Sequence, residues 1–185
     1  MRIAVIGTGY VGLVSGTCFA EIGHDVICVD VHPEKIEKLK KGIMPIHEDG
    51  LEDMVKRHHA LGSLRFTTDY ADAIPGAEVV LIAVGTPSSA DGAADLRFVF
   101  QAAEEIGKHL TDYTVIVNKS TVPIGTADQV TNFVSKHANH AFDVVSNPEI
   151  LREGIAVNDF MNPSRIIIGS ASSKATERML ELYAP

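Results

Sequence analysis

RIAVIGTGYVG, Arg2 to Gly12, decides how the chain is read. RIAVI is an apolar run rich in β-branched residues, the pattern of a strand buried on both faces. GTGYVG, Gly7 to Gly12, fits G-x-G-x-x-G and stands between that strand and a helical segment, Val11 to Ile22. Each glycine meets a physical demand. Gly7 permits the tight turn, Gly9 lets the backbone approach a pyrophosphate, and Gly12 lets helix and strand pack closely. Free N–H groups at the helix start then face the phosphates. The glycine pattern alone is weak. It gains weight from DVICVD, Asp25 to Asp30, a second strand that ends on an acid 18 residues after Gly12. A carboxylate there accepts hydrogen bonds from the ribose hydroxyls and repels a 2′-phosphate, which favours NAD over NADP.

The alternation continues along the chain. Pro33 to Lys41 reads as a helix with Pro33 in its first turn, and Glu52 to His59 as a shorter one. Leu64 to Thr67, EVVLIAV (Glu78 to Val84), TVIVN (Thr114 to Asn118), FDVVS (Phe142 to Ser146) and RIIIG (Arg165 to Gly169) read as strands. Leu96 to His109, Thr126 to His137 and Ser173 to Tyr183 read as helices, the first with Val99, Ala103, Ile106 and Leu110 on one face. Nearly all-apolar strands that alternate with helices predict an α/β fold. The expected form is a doubly wound, mostly parallel, Rossmann-like sheet with helices on both faces. No repeat or linker divides it, so residues 1–185 read as one domain.

Composition narrows the partners. Hydrophobic residues make up 45% and charged residues 22% of the 185, ordinary for a globular domain. A net charge of −8 argues against nucleic acid or an anionic membrane as the main partner. MRIAVIGTGY does not have the form of a signal peptide, no apolar run reaches the length of a membrane span, and the cytoplasm is the expected location. Cys18 and Cys28 form no C-x-x-C and read as reduced core thiols. His58 and His59, and His137 and His140, lack ligand partners in sequence. A solvated or capping role is expected for them, and no metal site.

Open parallel sheets bind ligands beyond the carboxyl ends of their strands. Three loops occupy that position: VGTP (Val84 to Pro87), KSTVPIGT (Lys119 to Thr126) and NPEILREG (Asn147 to Gly154). All three bring polar groups and a proline directly after an apolar strand. In the last, Glu149 and Glu153 flank Arg152 and read as a reactive pair, as metal ligands or as an acidic helix start. Lys119 reads either as a crevice cation or as a strand-end lysine.

GTGYVG, Val29-Asp30, VGTP, DGAADL (Asp91 to Leu96), KSTVPIGT, NPEILREG and NPSRIIIG occur in one order along essentially the whole chain. Together they resemble the UDP-glucose 6-dehydrogenase group of nucleotide-sugar dehydrogenases. GDP-mannose dehydrogenases are similar throughout, and UDP-N-acetylhexosamine dehydrogenases are more distant. The resemblance implies oxidation of a sugar C6 alcohol to a carboxylate with two NAD. The route runs through an aldehyde, a cysteine thiohemiacetal and a thioester that water opens. It implies UDP-glucose or a related nucleotide sugar as substrate and a homodimer when full length. It further implies that Tyr10 and Val11 lie in the pyrophosphate loop, that Asp30 and Lys35 serve the adenosine ribose, and that Thr86 and Thr121 lie along the cofactor. Thr121 and Glu149 would position water, with Glu149 in the acid–base role. The segment Glu149, Ile150, Leu151, Arg152, Glu153 would meet the sugar nucleotide, with Glu153 also near the nicotinamide end.

Two departures stand out. Family members usually read E-P-G-L where this chain has EDGL, Glu48 to Leu51, so Asp49 replaces a proline and loosens that turn without touching the chemistry. The family's nucleophilic cysteine segment is expected beyond residue 185. Residues 1–185 are thus expected to be the NAD-binding domain, to end in the start of the dimerising helix, and to be inactive alone. A non-catalytic NAD-binding module is the alternative of another class.

Overall fold

In Arg2–Ile6, Ile3 and Val5 face one side of the sheet and Ala4 and Ile6 the other, and all four are buried. Successive side chains of a strand point to opposite faces, so a strand covered on both sides must be apolar at every position. The same pattern recurs in Val79–Ile82 and Thr114–Asn118. A computed structural model of the protein describes residues 1–89 and 92–184. Asp91 of the DGAADL stretch and Pro185 lie outside the described residues.

The elements run β1 (Arg2–Ile6), α1 (Tyr10–Ile22), β2 (Asp25–Val29), α2 (Pro33–Lys40), α3 (Leu51–Leu61), β3 (Leu64–Thr67), α4 (Tyr70–Ala73), β4 (Val79–Ile82), α5 (Arg97–His109), β5 (Thr114–Asn118), α6 (Thr126–Ser135), β6 (Phe142–Ser146), α7 (Ala156–Met161) and α8 (Ser173–Tyr183). The sheet order is β3-β2-β1-β4-β5-β6, and every neighbouring pair is parallel. The winding reverses between β1 and β4, which opens a crevice beyond their carboxyl ends. The expected doubly wound sheet is observed.

Two cores cover the sheet. One packs Leu13, Phe19 and Leu39 with Val115 and Met179; the other packs Val99, Ile106, Val130 and Val134 over Ile82 and Ile116. Phe19 is fully buried and meets Phe160 edge-on, with centroids 4.9 Å apart. That contact fixes α7 against α1. α8 closes the same face, where His24 Nε2 bonds the Leu182 carbonyl oxygen at 2.8 Å and Arg178 pairs with Glu78 at 2.7 Å. Cys18 and Cys28 are both free and buried in this core.

Three expectations are corrected. RIIIG is not a strand: only Gly169 joins the sheet, through an antiparallel bridge to Ser146. The Asn147 side chain donates to the Ile167 carbonyl at 2.8 Å, and Ile166 and Ile167 are exposed. The apolar run is therefore held by a side chain, not by a ladder. His58 is neither solvated nor a cap; it is buried between Glu21 and Ser63. The acids Glu149 and Glu153 do not start a helix either, because α7 begins after them at Ala156. Among the described residues no group of three or more His, Cys, Asp or Glu could hold a metal. No helix among them is long and apolar enough to cross a membrane.

Candidate functional site

The glycine turn has the geometry its spacing predicts. Gly7 has φ +102°, and a Cβ there would meet the Ala83 carbonyl oxygen at 2.6 Å. A Cβ on Gly12 would meet the Gly7 carbonyl oxygen at 2.0 Å. Both positions are closed by the protein itself. Gly9 differs: its φ of −72° suits any residue, and an added Cβ would meet nothing within 4 Å. The fold does not require a glycine there, so the open space is free for a phosphate.

Asp30 closes the other side of the turn. Its Oδ2 accepts from the Thr8 N–H at 2.9 Å, the Thr8 hydroxyl at 2.6 Å and Lys35 Nζ at 2.8 Å. Among the described residues Oδ1 accepts only the His32 N–H, at 3.2 Å, and keeps capacity for a ribose hydroxyl. Burial by itself would raise this carboxyl, but the bonds from Lys35, Thr8 and His32 outweigh it and hold it below its ordinary value. Asp30, His32 and Lys35 border a crevice of about 620 Å³ that also touches Val31, Phe98 and Gln101. Val31 and Phe98 are large apolar side chains left exposed. Sequence reading passed over them, although Val31 directly follows the acid of the second strand.

The three strand-end loops converge. The Thr86 hydroxyl donates to the Thr121 carbonyl at 3.1 Å, and the Ser120 hydroxyl donates to the Val84 carbonyl at 2.8 Å. Val84 and Gly85 line the glycine crevice, while Lys119 lines a second one, of about 400 Å³, with Asn147 and Glu149 to Arg152. Glu149 Oε2 is buried there without a hydrogen-bond partner among the described residues. An unpaired buried oxygen is costly unless a ligand or solvent donor meets it.

Lys119, left open by sequence, is a buried cation of this second pocket. Arg152 grips Asp159 through Nε at 3.0 Å and NH2 at 2.7 Å, so its fork is occupied by protein. Ile150 is exposed at the pocket edge, and Leu151 packs partly against the core. Glu153 is exposed, and its charge together with those of Glu48 and Asp159 helps to raise the Tyr10 phenol, whose largest cause is burial. Tyr10 and Val11 open α1 directly after Gly9.

A glycine turn at the switch point, an acid closing β2 and loops gathered beyond β4, β5 and β6 define a dinucleotide-binding domain of the doubly wound class. The chain belongs to the UDP-glucose/GDP-mannose dehydrogenase family, whose NAD binding domain matches residues 1–185. It is 54% identical over 186 residues to UDP-glucose 6-dehydrogenase TuaD of Bacillus subtilis, covering 100% of this chain and 40% of that protein. UDP-glucose 6-dehydrogenase of Rhizobium meliloti is 53% identical over 190 residues, covering 100% of this chain and 43% of the relative. A UDP-glucose dehydrogenase structure from Pyrobaculum islandicum superposes with a TM-score of 0.95 at 41% identity, over 98% of this chain and 43% of that one. A ternary complex of GDP-mannose dehydrogenase from Pseudomonas aeruginosa gives 0.94 at 35% identity, over 99% and 44%. The chain thus spans less than half the length of these relatives, and its cofactor is NAD.

Proposed function

We propose that this domain holds NAD for the oxidation of UDP-glucose at C6 to UDP-glucuronate. NAD supplies the hydride acceptor. The chain's residues orient it: the Gly7–Gly12 turn receives the pyrophosphate, Asp30 and Lys35 hold the adenosine ribose, and Thr86 and Thr121 line its path. Glu149 is the acid–base group, with Thr121 beside it to position water. Ile150, Leu151 and Arg152 meet the sugar nucleotide, and Glu153 faces both the sugar nucleotide and the nicotinamide end. The observation that carries this reading is the buried, unpartnered Glu149 Oε2 in a pocket whose loops hydrogen-bond to those of the glycine crevice. An acid–base group needs an oxygen free for substrate or water.

The relatives at 54% and 53% identity are named for UDP-glucose, which favours that sugar. GDP-mannose is the second reading, supported by the structural likeness at a TM-score of 0.94. The proposal includes a cytoplasmic location and a homodimer for the complete protein. A panel of nucleotide sugars, assayed by NADH formation with the complete protein, tests it. UDP-glucose should give the highest kcat/KM, and a higher value with GDP-mannose would replace the first reading with the second.

A further inference from the structure

The turn that joins α2 to α3 carries Glu48, which is 5% exposed and has both oxygens engaged. Oε1 accepts from the Tyr10 hydroxyl at 2.6 Å and from the Gly154 N–H at 2.5 Å; Oε2 accepts from the Ala156 N–H at 3.0 Å. Burial would raise this carboxyl, and the three donors, helped by His47, outweigh it and keep it anionic. The partners come from two distant parts of the chain. Tyr10 is the first residue of α1, next to Gly9 of the cofactor turn. Gly154, with φ +89°, and Ala156 follow directly on Glu149 to Glu153.

The tie is narrow. Tyr10 and Gly154 share one oxygen, so a displacement of the Tyr10 ring reaches the Gly154 backbone through a single atom. Downstream, residues 152–159 form a small closed unit: the Ile155 N–H bonds the Arg152 carbonyl at 3.2 Å, and the Arg152 N–H bonds Asp159 Oδ2 at 3.0 Å. A motion of Gly154 is therefore passed to the whole unit, and with it to the stretch that carries Glu149.

We propose that Glu48 is a positioning residue that couples the cofactor turn to the Glu149–Glu153 loop, so that filling the NAD crevice firms the backbone of residues 149–156. The inference rests on NAD occupying the Gly7–Gly12 turn.

Amide hydrogen exchange tests it in the wild type, Glu48→Gln and Tyr10→Phe, each at NAD well above its own measured Kd. In the wild type, NAD should slow exchange at Gly154 and Ala156 about fivefold or more, the lower range of a coupling between sites. In Glu48→Gln the cofactor turn should still be protected by NAD while Gly154 and Ala156 no longer respond. Tyr10→Phe keeps the two backbone bonds and cuts only the link, so it should show the same loss of response. It decides alone if Glu48→Gln does not fold. A merely structural Glu48 would raise exchange with and without NAD alike, and Tyr10→Phe would transmit as the wild type does. That outcome overturns the coupling. So does a wild type that binds NAD with no change at Gly154 and Ala156, which leaves the NAD reading standing. A wild type that does not bind NAD at all overturns both.

Discussion

Lys119 Nζ and the Tyr183 phenol oxygen lie 3.4 Å apart beside the pocket that Glu149 borders. Asn147 Oδ1 is also 3.4 Å from the ammonium, while the Tyr183 hydroxyl donates to that same oxygen at 2.6 Å. The neutral pair bonds well to itself, and the buried cation is held loosely beside it. Burial pushes Lys119 down to about 8, with Glu149 acting in the opposite direction.

Lys119→Met keeps the stem and removes the charge. Between pH 8 and pH 10.5 the folded protein holds this amine neutral while the unfolded chain keeps it protonated. The unfolded state then binds more protons, so the group makes stability rise with pH across that window. Below it, the buried charge costs about 3 kcal/mol. Lys119→Met should therefore be more stable than the wild type at pH 7 by up to that amount, with the gap closing toward pH 10.5. Urea denaturation at both pH values checks this; a less stable variant at pH 7 would refute the weak-tether reading.

Gly9 and Gly12 separate cofactor space from packing space. Gly9→Ala should leave stability within about 1 kcal/mol, since its Cβ meets no neighbour. It should weaken NAD binding about tenfold or more, through loss of close approach to the pyrophosphate. Gly12→Ala, with its Cβ 2.0 Å from the Gly7 carbonyl oxygen, should cost about 1–3 kcal/mol or more of stability. Melting curves and calorimetric NAD titrations give both quantities. Equal NAD affinity in Gly9→Ala and the wild type would remove the phosphate from that position.

Asp30→Ala should raise the Kd for NAD about tenfold or more, the loss expected for hydrogen bonds to a charged group. The carboxyl is depressed in the folded state. Its contribution is thus present above the unfolded carboxylate pKa and fades as pH falls through the lower folded one. NAD affinity should accordingly stay level from pH 8 down to pH 5. A steep loss between pH 7 and pH 6 would point to a histidine instead.

Glu149→Gln loses no hydrogen bond at Oε2 among the described residues and only the charge of Glu149 on Lys119, so stability should change by less than about 1 kcal/mol. Under the proposed function, the complete protein carrying it should hydrolyse the thioester about 100-fold more slowly, the usual scale of a lost acid–base group, and change NAD affinity far less. Rapid-quench kinetics distinguish the steps. Equal damage to hydrolysis and to NAD binding would argue against an acid–base role.

Residues 1–185 alone should bind NAD and form no NADH from UDP-glucose. Measurable turnover would mean that the sugar and its nucleophile are served from within these residues.

Both-face burial made the central parallel strands legible. Thr114–Asn118 falls at its expected bounds as a run buried at every position, while Leu64–Thr67 and Phe142–Ser146 at the sheet edges fall at theirs with Arg65 and Asp143 inside the strand. α4 and α7 were invisible, since four and six residues are too few for a helical period to show. RIIIG misled because an apolar run reports burial and not its cause. In the candidate site, Gly7, Gly12 and Asp30 could be read from local spacing. Glu48 could not: its partners lie 38, 106 and 108 residues away, and no local pattern encodes such distances. Lys119 stayed ambiguous for the same reason, because Tyr183 reaches it from 64 residues on.

Cys18 and Cys28 carry a practical consequence. Burial, followed by the charges of Glu21 and Asp30, pushes their thiols up to about 12. Alkylating agents react with thiolates, and near neutral pH these two offer almost none. Iodoacetamide applied to the complete folded protein would therefore pass this domain by. Any inactivation it caused would not come from these two thiols, so a simple labelling experiment can test the complete protein for a reactive cysteine elsewhere without first replacing the two sulfurs here.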